Sequence, residues 1–303
     1  MNSTDLAFFL AVVEEGGITA AARRLNCVQS NVTARIRALE AGLGVPLFHR
    51  NGRGVVPTRA GERLLPHARQ VTAALRAARA SLHDLMNPGR PAGRLAIGSM
   101  ETTAACRLPP VLAAYHAAFP DVELSLRTGG TGPLVDEVLA FRLDAALVGG
   151  PIDHPDLVAA DIGTEHMVLV TAAGVAWEEA LARPAPAALC FRRGCAYRER
   201  LESLLAGMGV RHARLQEFGT LEGIIGGVAA GIGLSLLPLA AVDRSPLRPA
   251  LAIHEAPAPW AVAPTQLIHR RDGVMTAALA RFIEHARLGW SRPLHFAMHL
   301  QNA

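Results

Sequence analysis

The sequence predicts an α+β multidomain protein with an N-terminal winged helix-turn-helix, one long helix and a two-lobed α/β domain. Three observations support this prediction. Short helical patterns and a basic Gly-rich hairpin fill the first 61 residues, an apolar heptad follows to residue 85, and strand and helix patterns alternate from residue 94 onward. Half of the 303 residues are apolar, which is enough to build more than one core.

The first helix is predicted over residues 4–15, where apolar residues recur at helical spacing. Thr4 is its candidate N-cap, and Gly16-Gly17 ends it. The second helix of the helix-turn-helix starts near Gln29. Its apolar residues follow steps of four, three and four and should face the core: Val32, Ile36, Leu39 and Leu43.

The opposite side of that helix is polar and carries Ser30, Thr33, Ala34 and Arg37. Gln at a helix start can pair with adenine, and Ser or Thr can pair with several bases. Two Arg flank an Asn-Gly turn in the following hairpin, where they could hold phosphates. The candidate DNA contacts are Gln29, Ser30, Asn31, Thr33, Arg35, Arg37, Arg50 and Arg53.

The distribution of charge agrees with a DNA-binding N-terminus. All thirty basic residues are Arg. Residues 1–90 hold twelve Arg and six acidic residues, a net of +6, whereas residues 91–303 hold eighteen Arg and twenty acidic residues, a net of −2. The positive excess therefore lies on the segment with the helix-turn-helix.

A long helix is predicted from Thr58 to about residue 85, with a bend at Pro66. Its apolar residues alternate steps of four and three: Leu64, Ala68, Val71, Leu75, Ala78, Leu82 and Leu85. Such a seam predicts the pairing of two helices, and packing on the helix's own domain is the alternative. The Asn-Pro-Gly-Arg-Pro run at 87–91 forms a hinge.

Alternating strands and helices beyond the hinge predict a parallel sheet covered on both faces. Strands are predicted at residues 94–99, 122–126, 145–148, 167–171, 188–191, 234–237 and 266–269. Helices are predicted at residues 102–119, 131–141, 197–207, 221–230 and 273–288.

The chain resembles LysR-type transcriptional regulators along nearly its whole length. In the N-terminal part the resemblance rests on the AAARRL run, Gln29, the IRALE run, the LGVPLFHR run, Thr58 and Ala60-Gly61. Further on it rests on Ile97-Gly98-Ser99, Arg107-Leu108-Pro109, Phe119-Pro120-Asp121-Val122, Leu143-Asp144-Ala145-Ala146 and GIGLSLLP. Family members often have a capping Ser where Val28 stands, a Pro where Ser30 stands and an Arg where Ala34 stands, which leaves the base contacts and the operator open.

The resemblance implies that consecutive parts of the chain have separate functions and that the last large part is a periplasmic-binding-protein-like effector domain. The expected parts are a DNA-binding domain (1–58), a dimerisation helix (59–87), a hinge (88–91), lobe I (92–165 and 267–288), lobe II (166–266) and a tail (289–303). The expected assembly is a homotetramer, a dimer of dimers, on an interrupted palindromic site in double-stranded DNA. RNA polymerase is a further candidate partner.

Polar loops follow several predicted strands, and ligands bind at such strand ends and at helix N-termini. With the resemblance, they give the candidate effector contacts Ser99, Met100, Thr102, Thr103, Thr128, Gly149, Arg193, Cys195 and Thr220. Each hydroxyl could instead be a plain helix cap. Free N–H groups and Arg192 or Arg193 favour a small anion, whereas Glu101 favours a cation, so the charge of the effector stays open.

Other function classes find less support. No long apolar run or signal peptide is evident, so we expect a cytoplasmic protein without a membrane span. No cofactor is expected, and His295 and His299 lack a third metal ligand nearby. A Cys195-dependent enzyme is one alternative, because two neighbouring Arg could lower the pKa of its thiol. A constitutive DNA-binding protein without a ligand is the other.

Overall fold

A computed structural model describes residues 1–51, 54–210 and 212–291. The chain divides into two compact units, one built mainly from Met1–Met86 and the other from most of the residues that follow. No helix of the described residues is both long enough and apolar enough to cross a membrane.

The first unit is a winged helix-turn-helix, as predicted. Its elements are helices α1 (Ser3–Glu15), α2 (Ile18–Arg24) and α3 (Gln29–Leu43), strands β1 (Phe48–Asn51) and β2 (Gly54–Pro57), and helix α4 (Arg59–Met86). Residues of α1 and α3 form the centre of its core, with Phe9, Val32, Ile36 and Leu39 almost fully buried. Leu43, by contrast, is 37% exposed, so the apolar side of α3 ends one turn earlier than predicted.

The ends of these helices are defined by local hydrogen bonds. Asn2, not Thr4, caps α1: its Oδ1 accepts from the Asp5 N–H (2.9 Å), while Asp5 Oδ2 accepts from the Asn2 N–H (3.3 Å). This reciprocal capping box satisfies two N–H groups that Thr4, already inside the helix, cannot reach. Gly16 ends α1 with φ 66°, as predicted. Val28 precedes α3 without a side-chain cap.

Helix α4 starts as predicted. Thr58 Oγ1 accepts from the Gly61 N–H (3.1 Å) and donates to the Pro46 carbonyl (2.8 Å). The helix continues across Pro66. Of the heptad seam, only Ala68 is fully buried within its own chain, whereas Val71, Leu75, Leu82 and Leu85 are exposed.

The second unit contains two α/β lobes. Lobe I is built on strands β3 (Gly93–Ser99), β4 (Val122–Thr128) and β5 (Ala145–Gly149), which pair in parallel in the order β5-β3-β4. Its helices are α5 (Glu101–Cys106), α6 (Leu108–Ala118), α7 (Thr131–Leu139) and α12 (Ala277–Ser291). The predicted helix at 102–119 is in fact two, because Pro109 and Pro110 fit the first turn of a helix but not its interior.

Lobe II continues the same sheet through two long strands, β6 (Leu157–Ala172) and β11 (Val262–Arg270), which pair antiparallel. Its other strands are β7 (Ala187–Cys190), β8 (Arg214–Glu217), β9 (Ser235–Pro238) and β10 (Leu251–Glu255). Its helices are α8 (Trp177–Ala182), α9 (Ala196–Gly207), α10 (Leu221–Ala229) and α11 (Leu239–Asp243).

The predicted strands at 167–171 and 266–269 are therefore only parts of β6 and β11. The first part of β6 has no strand signal of its own and includes polar residues such as Asp161 and Glu165. Antiparallel pairing to β11 makes it a strand. Helix α12 begins at Ala277 rather than residue 273, because Thr276 Oγ1 caps it by accepting from the Leu279 N–H (3.3 Å). The multidomain α+β prediction is confirmed, while the boundary between the lobes stays a prediction.

Candidate functional sites

Helix α3 presents a polar side to solvent. Its buried Val32, Ile36 and Leu39 fix its other side on the core, and this leaves Ser30, Asn31 and Arg37 exposed. Gln29 is exposed at the first position of the helix. The preceding Val28 makes no side-chain hydrogen bond to the helix N-terminus. These residues have side chains free for an outside partner, as a base-reading helix requires.

Gln29 and Thr33 also line a groove of about 590 Å³. Thr19 and Arg23 of helix α2 and Val55 of strand β2 line the same groove. The sequence prediction missed Thr19 and Arg23, although Arg23 stands on the exposed surface of α2. The groove is therefore shared by both helices of the motif and by the hairpin.

Of the three remaining candidate DNA contacts, Arg35 already has a partner in the protein, and the side chains of Arg50 and Arg53 are not described. Arg35 makes an ion pair with Asp5 of α1, its Nη1 lying 3.1 Å from Asp5 Oδ1. Arg50 belongs to strand β1, where its backbone pairs with Val55, but its side chain and the whole of Arg53 lie outside the described residues.

Three of the predicted effector contacts, Ser99, Met100 and Gly149, lie at the buried ends of the lobe I strands. Ser99 is fully buried, and its hydroxyl donates to the Met100 carbonyl (3.0 Å). Gly149 donates its N–H to Thr131 Oγ1 (3.1 Å), and that oxygen is 3.7 Å from the sulfur of Met100. Thr131 stands in a predicted polar loop but was not among the candidates.

Three buried hydroxyls meet between the lobes. Thr102 and Thr103 come from helix α5 of lobe I, and Tyr197 comes from helix α9 of lobe II. All three residues are at most 3% exposed, and none of their oxygens has a hydrogen-bond partner among the described residues outside this cluster. Burial raises the pKa of Tyr197 well above its usual range, and the nearby threonine hydroxyls offset only part of that effect.

Such hydroxyls are rare in folded proteins, because an unpaired buried donor is unfavourable. They therefore mark a place where a bound polar molecule would gain hydrogen bonds. Tyr197 was not predicted, since nothing in its local sequence indicates that two threonines approach it.

Three other predicted contacts lie outside this cluster. Thr220 is an exposed N-cap of α10, and its Oγ1 accepts from the Gly223 N–H (3.0 Å). Thr128 and Arg193 are exposed as well. Glu101 is closer to the cluster in sequence, and its Oε1 accepts from the Leu221 N–H (3.1 Å) at the N-terminus of α10.

The alternative in which neighbouring Arg lower the pKa of the Cys195 thiol is wrong. Burial raises the pKa of the Cys195 thiol, and hydrogen bonds from the backbone of Arg198 and Tyr197 only partly oppose it. Arg192 and Arg193 extend to the surface instead. A thiol in this setting is a poor nucleophile at neutral pH.

A buried ion pair joins lobe I to strand β6. The Arg107 guanidinium donates to both oxygens of Glu165 (2.8 and 2.9 Å) and lies over the Trp290 ring, 5.2 Å from its centre. Only 4% of the Glu165 side chain is exposed. The pair fixes the turn between α5 and α6, next to the buried hydroxyls of α5.

Both units match known protein families. Residues 3–62 match the bacterial regulatory helix-turn-helix protein, lysR family, and residues 88–290 match the LysR substrate binding domain. The chain belongs to the LysR family of transcriptional regulators.

Relatives of this LysR-type regulator cover almost its full length. It is 42% identical to the uncharacterized HTH-type transcriptional regulator YusT of Bacillus subtilis over 285 residues, 94% of this chain and 95% of YusT. It is 39% identical to the regulator GltR of the same organism over 288 residues, 95% of this chain and 96% of GltR.

Solved structures of other members share its fold. Full-length OxyR from Pseudomonas aeruginosa matches with a TM-score of 0.72 at 22% identity, covering 95% of both chains. Full-length CbnR, crystallised with its target DNA, matches with a TM-score of 0.66 at 24% identity, covering 95% of this chain and all of CbnR. The protein is thus a LysR-type DNA-binding regulator with an effector-binding domain, and its family points to regulation rather than to an enzyme.

Proposed function

We propose that this regulator reads an interrupted palindromic operator with helix α3. The observation that supports this is the exposed polar side of α3, which lies opposite its buried Val32, Ile36 and Leu39. The proposed readers are Gln29, Ser30, Asn31, Thr33 and Arg37. Gln29 and Thr33 suit base edges, and Arg37 suits a phosphate or a guanine. Arg50 and Arg53 of the wing would hold the backbone of the same half-site.

Two subunits would pair through helix α4. Leu75 is 41% exposed and Leu82 is 64% exposed, both on the heptad seam. Exposed leucines in such a row are unfavourable in water and gain most by packing against a second copy. Two-fold pairing explains a palindromic operator, and a second pairing would give the dimer of dimers.

The effector would bind between the lobes, beside Thr102, Thr103 and Tyr197. These neutral hydroxyls can donate to an anion or accept from a donor, which suits a small polar molecule. Ser99, Met100 and Gly149 would complete the wall. The bound effector would favour one arrangement of the lobes, alter the spacing of the paired α3 helices and so change contact with RNA polymerase.

Gln29→Ala tests the DNA-reading claim. Because Gln29 is proposed to contact base edges, affinity for the operator should fall about 5- to 100-fold while affinity for random duplex stays the same. Equal loss on both DNAs would contradict base reading. Titrations by fluorescence anisotropy at one fixed salt concentration measure both affinities.

A metabolite screen then separates regulation from its alternatives. A regulator should show operator affinity that shifts on adding a particular metabolite. A constitutive DNA-binding protein would show the same affinity with every compound, and an enzyme would convert one of the compounds into product.

A further inference from the structure

We propose that Arg35 is a positioning residue, which fixes the reading helix α3 on helix α1 and does not itself contact DNA. The inference rests on the proposed function of α3, and it changes the role that the sequence pattern gives to Arg35. Three observations support it: two contacts of the Arg35 guanidinium and the direction in which Arg35 leaves helix α3.

The first is the ion pair with Asp5. Arg35 Nη1 lies 3.1 Å from Asp5 Oδ1, and Asp5 is only 8% exposed. The other Asp5 oxygen accepts from the Asn2 N–H (3.3 Å) as part of the capping box of α1. Arg35 therefore binds a carboxylate that is itself held in place by the first turn of α1.

The second is the contact with Phe8. The Arg35 guanidinium lies over the Phe8 ring, 5.7 Å from its centre. Phe8 stands three residues beyond Asp5 and so lies on the same side of α1, one turn on. Asp5 and Phe8 thus belong to one face of α1. The ion pair holds the guanidinium at one of its nitrogens, and the Phe8 ring holds it across its plane.

The third is the geometry of α3. Two residues of an α-helix turn by about 200°, so Arg35 and Arg37 point to nearly opposite sides. Arg37 is exposed, and among the described residues it forms no ion pair or hydrogen bond. Ser30 and Arg37 are seven residues apart and therefore share a side. A DNA duplex that meets Ser30 and Arg37 lies away from Arg35.

Asp5 makes the proposal testable, because it is a buried residue of α1 and not one of the proposed DNA contacts. Without Arg35, the Asn2 N–H is the one partner that the buried Asp5 carboxylate keeps within the described part of the chain. Without the Asp5 charge, Arg35 loses its anchor. Both changes should loosen α3 in the same way, whereas loss of a phosphate contact would affect Arg35 variants alone.

The experiment compares four full-length variants with the wild-type protein: Arg35→Gln, Asp5→Asn, the double variant and Arg37→Gln. Asn at residue 5 keeps an oxygen for the capping box while removing the charge. Affinities for DNA upstream of the protein's own gene and for random duplex are measured over a salt series. Arg37→Gln is the matched control, because it removes one charge from the proposed DNA side of the same helix.

We expect Arg35→Gln and Asp5→Asn each to weaken operator binding about 3- to 10-fold, with the double variant no weaker than the worse single variant. Neither should change the slope of log affinity against log salt, whereas Arg37→Gln should reduce that slope by about 0.9. Hydrogen exchange of the α3 amides should quicken in both single variants and not in Arg37→Gln.

A smaller slope in Arg35→Gln with no effect of Asp5→Asn would show a phosphate contact and overturn the positioning role. Additive losses, or unchanged affinity and exchange in both variants, would overturn it as well. If wild-type protein binds no DNA at low salt, the proposed function fails first. Arg35→Lys guards against misfolding, since it keeps the charge near Asp5 and should restore part of the affinity that Arg35→Gln loses.

Discussion

The Glu101 carboxylate accepts a 3.1 Å hydrogen bond from the backbone N–H of Leu221, and this joins α5 of lobe I to the first turn of α10 in lobe II. A carboxylate at a helix N-terminus is stabilised by the unpaired N–H groups there. The protein thus supplies its own anion to the N-terminus of α10.

Glu101→Gln should lower the stability of the effector-binding unit by about 0.3–1 kcal/mol, because the neutral amide is a weaker partner for the helix N-terminus. Glu222→Gln is the matched control, since Glu222 lies in the first turn of the same helix, is exposed and comes from lobe II itself. Thermal unfolding of the full chain measures both. If both variants lost the same stability, the hydrogen bond between the lobes would contribute nothing to the stability of this unit.

Arg107→Met should destabilise the same unit by about 3–5 kcal/mol, because it leaves the buried Glu165 carboxylate without its cation. Replacing both partners by Met should cost much less. Arg127→Gln removes an exposed partner of Glu137 and should cost less than about 1 kcal/mol. Urea titrations would contradict this account if the Arg107 and Arg127 variants were equally stable.

Thr102→Val, Thr103→Val and Tyr197→Phe should each change stability by less than about 1 kcal/mol, since their hydroxyls have no hydrogen-bond partner to lose outside their own cluster. Thr58→Val is the control, because that hydroxyl makes two hydrogen bonds and caps α4, and it should cost about 0.5–2 kcal/mol.

The same hydroxyls should matter for the effector. Once a screen identifies it, calorimetry on the three variants should show a loss of affinity of about tenfold or more for at least one hydroxyl. Full affinity in all three would place the effector elsewhere.

Cys195 should react slowly with iodoacetamide at neutral pH. Only the thiolate attacks, and burial raises the pKa of this thiol above its ordinary value of 9.0, so the thiolate fraction is small until the pH passes that value. Peptide mass spectrometry of labelled protein should show a Cys195 rate still rising above pH 9.0. Rapid labelling at neutral pH would restore the nucleophile hypothesis.

Leu82→Glu should dissociate the proposed oligomer, since it puts a charge on the exposed seam of α4. Arg76→Glu changes the charge on the opposite side of the helix and should leave assembly intact. Light scattering during size-exclusion chromatography gives both masses. If both variants keep the wild-type mass, the seam is not the pairing surface.

Local patterns predicted the parts of this fold that local forces determine. The spacing of Val32, Ile36 and Leu39 predicted α3, and the Thr58 cap predicted the start of α4. Strand β8, with the sequence Arg-Leu-Gln-Glu, was missed because it becomes a strand only by pairing with β7.

The candidate sites were harder to predict, because their contacts join distant parts of the chain. Glu101 and Leu221 are 120 residues apart, and Tyr197 meets Thr102 and Thr103 only after both lobes have folded. Arg35 is different. The helical period already places it away from Arg37 in the sequence, and this spacing is one support for the proposal that Arg35 positions α3.

The most direct test of the account is a gel shift of the purified full-length protein on the DNA upstream of its own gene, with excess random competitor. The account predicts a specific complex, and footprinting of that complex should show two protected half-sites related by two-fold symmetry. No complex at low salt, even with competitor omitted, would contradict the proposal that α3 reads DNA.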